Sequence, residues 1–164
     1  MDVFEAIAQR KSVRRYADKP ISKADLKVIV DAGRRAPTAR NEQPWEFVVI
    51  TDHDRLQSIG ATTDYGQFIA NAVACILVFC KDTKYYLEDG SAAVENMLLA
   101  ATGLGIASCW VAGDKKVYAK DIETLVKAPD AIKLVAMIPL GYPTKTHSEH
   151  PKRPLDEVMH WESF

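Results

Sequence analysis

The chain has 164 residues, of which 48% are hydrophobic and 26% are charged, a size and composition typical of one globular domain. Its formal net charge of −1 at pH 7 lacks the basic excess of a nucleic-acid-binding protein. No apolar run reaches the roughly 18 residues that a membrane-spanning helix needs. We therefore expect a single domain over residues 1–164 that binds neither nucleic acid nor membrane.

The first predicted element is an amphipathic helix over residues 2–11, which is followed closely by a cationic run. This run is Arg10-Lys11-Ser12-Val13-Arg14-Arg15. Arginine suits bidentate contact with phosphate, and a serine hydroxyl can donate to a phosphate oxygen. The run therefore fits a site for one phosphorylated ligand. The alternative is a solvated helix end, where cations favour the negative pole of the helix dipole.

A second helix is predicted over residues 23–35, with Ser22 as its N-cap, and a turn-rich loop over 36–45 follows it. In that loop Asn41 and Gln43 carry amides that can both donate and accept hydrogen bonds. Such groups suit the edge of a heteroaromatic ring. The alternative is a plain connection whose amides are solvated.

The remaining elements alternate between strands and helices. Strands are predicted over 45–50, 73–80, 106–111 and 133–141, and helices over about 53–60, 88–103 and 119–127. Because two helices precede the first strand, this order favours an α+β fold, an α/β sandwich, over a regular doubly wound sheet. At the end of strand 106–111, small residues leave backbone N–H groups accessible to a ligand ring.

The three cysteines, Cys75, Cys80 and Cys109, lie in apolar segments. Their number is odd and no CxxC motif occurs, so we expect free buried thiols in a reducing, cytoplasmic environment. The histidines lack the carboxylate or thiol set that would complete a metal site, so we expect none.

Residues 143–164 are predicted to form an extended C-terminal arm, because three prolines interrupt it before Leu155. Its apolar side chains need a surface to pack against, and a neighbouring subunit would supply one. The alternative is a frayed terminus. The pair Lys152-Arg153 could meet the same phosphate as the cationic run, or be a solvated charged tail.

Four segments in chain order resemble the motifs of the FMN-dependent nitroreductase family, in particular its short members. They are residues 10–16, 36–45, 103–113 and 141–155, and the resemblance covers essentially the whole chain. It implies a nitroreductase-like fold, in which helices flank a central, mainly antiparallel sheet and a C-terminal tail extends onto the partner subunit. It also implies a homodimer with FMN at the interface and NADH or NADPH as co-substrate.

The resemblance implies roles for individual residues, with no catalytic side chain and no metal, because flavin N5 carries the chemistry. The ribityl phosphate would be bound by Arg10, Ser12, Arg14, Lys152 and Arg153, with Lys11 near the pyrimidine ring. Pro37, Thr38 and Ala39 of the second subunit would cover the cofactor, with Asn41 as the polar contact of that loop and Gln43 as a further candidate. Val111, Ala112 and Gly113 would lie along the ring, with a backbone N–H near N5.

The implied activity is hydride transfer from NAD(P)H to flavin N5, followed by reduction of an acceptor such as a nitroaromatic or a quinone in a ping-pong mechanism. Alternatives are a flavin carrier or sensor without turnover, a flavin enzyme using oxygen on a specialised substrate, and a phospholigand-binding domain without flavin. The chain lacks the large insertion between Cys80 and Asp89 that often forms a lid in this family. Residues 62–68 and Tyr85-Tyr86 are therefore the candidates to line the substrate face.

Overall fold

The computed structural model describes residues 1–144 and 151–164. Its helices are α1 (Val3–Gln9), α2 (Lys23–Arg34), α3 (His53–Thr62), α4 (Tyr86–Gly103) and α5 (Ala119–Leu125). Its strands are β1 (Tyr16–Ala17), β2 (Trp45–Ile50), β3 (Ala74–Lys81), β4 (Ala107–Ser108), β5 (Val111–Ala112) and β6 (Ile132–Pro143). In the described part of the chain, no helix is long and apolar enough to cross a membrane.

The strands form one sheet in the order β1-β6-β3-β2, and β4 and β5 also pair with β6. All of these pairings are antiparallel. The predicted α+β fold with a mainly antiparallel central sheet is thereby confirmed.

Strand β3 lies at the centre of the sheet, and every residue in it except Lys81 is buried. Ile76 and Val78 pack in the cluster that includes α2 and α4, whereas Leu77 and Phe79 pack in the cluster that includes α3 and α5. Successive side chains of a strand point to opposite faces, so both faces of β3 are covered by helices. This burial explains the unbroken apolar run in the sequence.

Helix α1 ends at Gln9, two residues earlier than predicted, and its last turn contains no basic residue. Arg10 has an extended ψ of 124°, so the cationic run is extended chain rather than a helix end. The helix-end alternative therefore holds only for Arg10, which is the C-cap of α1 and donates its N–H to the Ala6 carbonyl, while Lys11 to Arg15 lie beyond the helix. The N-cap prediction for α2 is confirmed, since the Ser22 side chain accepts a hydrogen bond from the Asp25 N–H.

The single strand predicted over 106–111 is divided into β4 and β5. The two strands share one register on β6, with Ser108 opposite Leu140 and Val111 opposite Met137. That register places Cys109 opposite Pro139. Proline has no N–H to donate, so the ladder is interrupted at this pair.

The predicted arm, 143–164, begins at Pro143, which the structure places at the end of β6. Residues 151–164 are exposed throughout and contain one short 3₁₀ turn, Leu155–Glu157. Leu155 is 69% exposed and Trp161 is 78% exposed. Residues 145–150 of the predicted arm lie outside the described residues. The arm thus carries large apolar side chains that its own chain leaves uncovered.

Candidate functional site

The cationic run lies alongside β4. The Val13 N–H donates to the Ser108 carbonyl at 2.9 Å, and Ser12 forms a parallel bridge with Ser108. On either side of this contact, the Arg14 guanidinium lies 5.7 Å from the ring centroid of Phe68, and Arg10 Nε lies 4.0 Å from Glu95 Oε1. The structure therefore brings the predicted phosphate-binding run to β4, next to the strand β5 that carries the predicted ring-lining residues.

The Cys109 thiol lies between β4 and β5, where the charges of the cationic run act on it. Burial raises the pKa of Cys109, while the Arg14 guanidinium and the Ser12 hydroxyl partly offset this rise. Arg10 also lowers this pKa, so two positive charges act on the turn between β4 and β5, and such charges favour an anionic ligand.

Strand β5 presents one backbone N–H away from the sheet. The Gly113 N–H donates to the Val135 carbonyl of β6 at 3.0 Å. Because successive backbone groups of a strand point to opposite edges, the Ala112 N–H points away from β6. The Ala112 carbonyl accepts a hydrogen bond from the Tyr118 hydroxyl at 2.6 Å, and its side chain is exposed. Of the three predicted ring-lining residues, Ala112 is thus the one that offers an outward donor.

Gly113 is required for the position of β5, because a Cβ there would lie 2.5 Å from Leu134 Cγ. We expect Gly113→Ala to lower the free energy of unfolding by about 1–3 kcal/mol, since overpacking forces neighbouring groups to move. Urea unfolding followed by circular dichroism measures this loss. The matched control is Gly103→Ala, where nothing lies within 4 Å of the added Cβ, and it should show no loss. Equal stability of the two variants would contradict the close packing of β5.

The loop over residues 37–43 is held in an unusual conformation. Arg40, Asn41 and Gln43 have φ values of 56°, 56° and 46°, in the left-handed region that favours glycine. Within the loop, the Gln43 N–H donates to Thr38 Oγ1 at 3.3 Å, and Gln43 Nε2 donates to Asn41 Oδ1 at 3.1 Å. Such strain concentrates at functional sites.

The 37–43 loop is tied to α4 through Asp89, a residue that the sequence motifs did not single out. The Ala39 N–H donates to Asp89 Oδ1 at 3.0 Å, and Asp89 is only 5% exposed. A signal for it was present in the sequence. Asp89 precedes Ala93 by four residues and Met97 by eight, so the helical repeat places its carboxylate on the buried face of α4.

The two segments predicted to line the substrate face both lie beside β5. A Cβ on Gly66 would lie 3.1 Å from Val111 Cγ1, which places the 62–68 segment against the strand, and Tyr65 is 91% exposed. On the other side, the Tyr86 hydroxyl donates to Asp114 Oδ1 at 2.6 Å. This bond is the main cause that raises the pKa of Tyr86 to about 12, so the hydroxyl remains protonated at neutral pH.

Two predicted parts of the site, the Lys152-Arg153 pair and the 37–43 loop, make their hydrogen bonds away from the cationic run. Arg153 bonds to Glu157 within the exposed arm, and Lys152 is exposed beside it. The tie to the 37–43 loop is six residues from Glu95 along α4, which is roughly 9 Å along the helix axis. Ser12, Arg14, Asn41 and Gln43 are all exposed, so the polar candidate residues of one chain form an open surface.

Two nitroreductase family models together match residues 7–164 of the chain. A model of the "Nitroreductase family" matches residues 7–77, and a model described as "Putative TM nitroreductase" matches residues 56–164. A protein of Archaeoglobus fulgidus named "Putative NADH dehydrogenase/NAD(P)H nitroreductase" is 37% identical over 150 residues, covering 87% of this chain and 86% of the relative.

Solved structures show the same likeness. A crystal structure of "a putative nitroreductase in complex with fmn" from Desulfovibrio desulfuricans has a TM-score of 0.84 and 34% identity, and the match covers 100% of this chain and 98% of that one. An "FMN-dependent Nitroreductase" from Clostridium difficile has a TM-score of 0.92 and 26% identity, with coverage of 98% and 99%. The likeness therefore extends over the fold and not only over the motifs.

Proposed function

Because this chain belongs to the nitroreductase family and is an FMN-dependent NAD(P)H oxidoreductase, we propose that it works by a ping-pong mechanism at a site shared by two copies of the chain. Bound FMN supplies the redox chemistry, in which N5 accepts a hydride from NAD(P)H and the flavin then reduces an acceptor such as a nitroaromatic or a quinone. The observation that carries the proposal is the contact of the cationic run with β4, because β4 leads within three residues into β5, which is assigned to the ring.

The cationic run binds the phosphate end of the cofactor. Arg10 and Arg14 supply guanidinium groups for bidentate contact with phosphate oxygens, and the Ser12 hydroxyl donates a further hydrogen bond. Their position is supported by the extended backbone and by its pairing with Ser108. Lys11 lies toward the pyrimidine side, where its charge stabilises the negative charge that develops on the ring during reduction.

Strand β5 supports the ring. The outward N–H of Ala112 is the donor for N5, since the N–H of Gly113 is bonded to Val135. The small side chain of Ala112 permits close approach, and Val111 and Gly113 hold the strand through their packing. No side chain of the chain acts as a nucleophile or general acid in this account. The protein binds and orients the cofactor and excludes water from the site.

A second copy of the chain completes the site. We assign Pro37, Thr38 and Ala39 of that copy to the cover over the cofactor, with Asn41 and Gln43 as polar contacts. The pair Lys152-Arg153 adds positive charge at the phosphate, and the arm that carries it packs on the partner. The open surface of the single chain and the exposed apolar residues of the arm support this homodimer.

The mechanism predicts parallel lines in double-reciprocal plots when NAD(P)H is varied at several fixed acceptor concentrations. In a ping-pong reaction the oxidised nicotinamide leaves before the acceptor binds the same face. Anaerobic stopped-flow bleaching of the flavin by NADH and by NADPH then identifies the preferred donor, and a panel of nitroaromatics and quinones identifies the acceptor class. Intersecting lines would contradict the mechanism. Bleaching without turnover would favour a flavin carrier, and products formed only under air would favour an oxygen-using enzyme.

A further inference from the structure

We infer that Asp89 is a positioning residue, whose carboxylate holds the 37–43 loop in the conformation that covers FMN. This inference rests on the proposed function and deepens it. It adds a residue outside the four motifs, and it explains how a strained loop is kept ready for its ligand.

The first support is the place of Asp89 in the hydrogen bonding of the loop. Asp89 Oδ1 accepts the Ala39 N–H at 3.0 Å across fifty positions of sequence. In the described part of the chain, the other hydrogen bonds of the loop join loop residues to each other, such as Gln43 to Thr38 and to Asn41. The Asp89 contact therefore ties this loop to helix α4 of the core.

The second support is the strained backbone of the loop, which this hydrogen bond holds in place. Three non-glycine residues of the loop have positive φ, a conformation that L-residues adopt at a cost. Left to itself, the segment would relax toward ordinary backbone angles. A hydrogen bond between an amide and a carboxylate is stronger than one between neutral groups, so it can hold such a segment in place.

The third support is the burial of the carboxylate. Asp89 is 5% exposed, and its Oδ2 atom is buried without a hydrogen-bond partner among the described residues. Its charge contributes, after burial, to raising the pKa of the nearby Cys80 thiol to about 12. Burying a carboxylate whose acceptors are half used costs stability, and an apolar side chain would avoid that cost. A functional role explains why a carboxylate, and not an apolar side chain, stands at this buried position.

The test compares FMN binding to the full-length apo-protein by fluorescence quenching. Asp89→Ala removes the acceptor and should weaken FMN binding about tenfold or more. Asp89→Asn keeps an oxygen acceptor for the Ala39 N–H and should stay within about threefold of the wild type. Glu88→Ala, the control, removes an exposed carboxylate from the same turn and should change nothing. Wild-type affinity in Asp89→Ala, or equal weakening in Asp89→Asn, would overturn the inference.

A variant on the other side of the contact decides the matter if Asp89→Ala does not fold. Ala39→Pro removes the N–H donor, and Thr38 already has the extended backbone, φ −131° and ψ 150°, that precedes proline. Ala39→Pro should weaken FMN binding to a similar extent. Where the double variant Asp89→Ala, Ala39→Pro folds, its FMN binding should be no weaker than that of either single variant. Unchanged affinity in Ala39→Pro would overturn the role of Asp89. Failure of the wild type to bind FMN would instead overturn the proposed function.

Discussion

Replacing both Arg10 and Arg14 with alanine is expected to weaken FMN binding by about 100-fold or more, because each guanidinium contributes about 1.5–3 kcal/mol through charge-assisted hydrogen bonds to phosphate. Purified protein should then be colourless at micromolar concentration. Fluorescence titration of the apo-protein with FMN and with riboflavin separates the causes. The variant should lose affinity for FMN and change little toward riboflavin, which has no phosphate.

Arg15→Ala is the matched control for this prediction. Arg15 is exposed, belongs to the same run and has no assigned contact with the cofactor. Its removal therefore changes the net charge without removing a side chain that binds FMN. FMN affinity within about threefold of the wild type is expected, since long-range charge effects are screened by salt. Equal losses in Arg15→Ala and in the double variant would show that the run acts through its overall charge.

Replacing Leu155 and Trp161 with aspartate is expected to raise the dissociation constant of the dimer by about 100-fold or more. Each side chain contributes about 1.5–3 kcal/mol when it is buried, and charges at these positions cannot be buried on a partner. Both side chains are exposed in the single chain, so the substitutions leave its own core intact. Sedimentation equilibrium measures the dimer, and flavin absorbance measures the bound cofactor.

The control for the arm separates assembly from phosphate binding. The double variant Lys152→Ala, Arg153→Ala keeps the apolar residues of the arm, so it should remain dimeric and lose FMN affinity. The aspartate variant should lose both. An aspartate variant that remains dimeric at nanomolar concentration would show that the arm does not hold the assembly together.

Local patterns in the sequence predicted much of the fold. The strand over 45–50 and the Ser22 N-cap are confirmed as predicted, because apolar periodicity and capping are local properties. The division of strand 106–111 could not be predicted in the same way. It depends on Pro139, which is thirty positions from Cys109 and lies opposite it only once the sheet has formed.

The candidate site was predictable only in part, for the same reason. Arg10, Ser12 and Arg14 were evident as a cationic run in a chain of near-neutral charge. The outward N–H of Ala112 depends on the pairing of β5 with β6, and the role inferred for Asp89 depends on a contact with a distant loop. Both are long-range features that no short motif contains.

The most direct test of the shared site is a mixed dimer. One chain carries Arg10→Ala and Arg14→Ala, the other carries Thr38→Trp to obstruct the cover, and the two are co-expressed with different tags and purified through both. If one site uses the cationic run of one chain and the 37–43 loop of its partner, each mixed dimer contains one intact site and one doubly defective site. We predict one FMN bound with wild-type affinity per mixed dimer, whereas neither parent homodimer binds it tightly. Absence of tightly bound FMN from the mixed dimer would contradict the shared site.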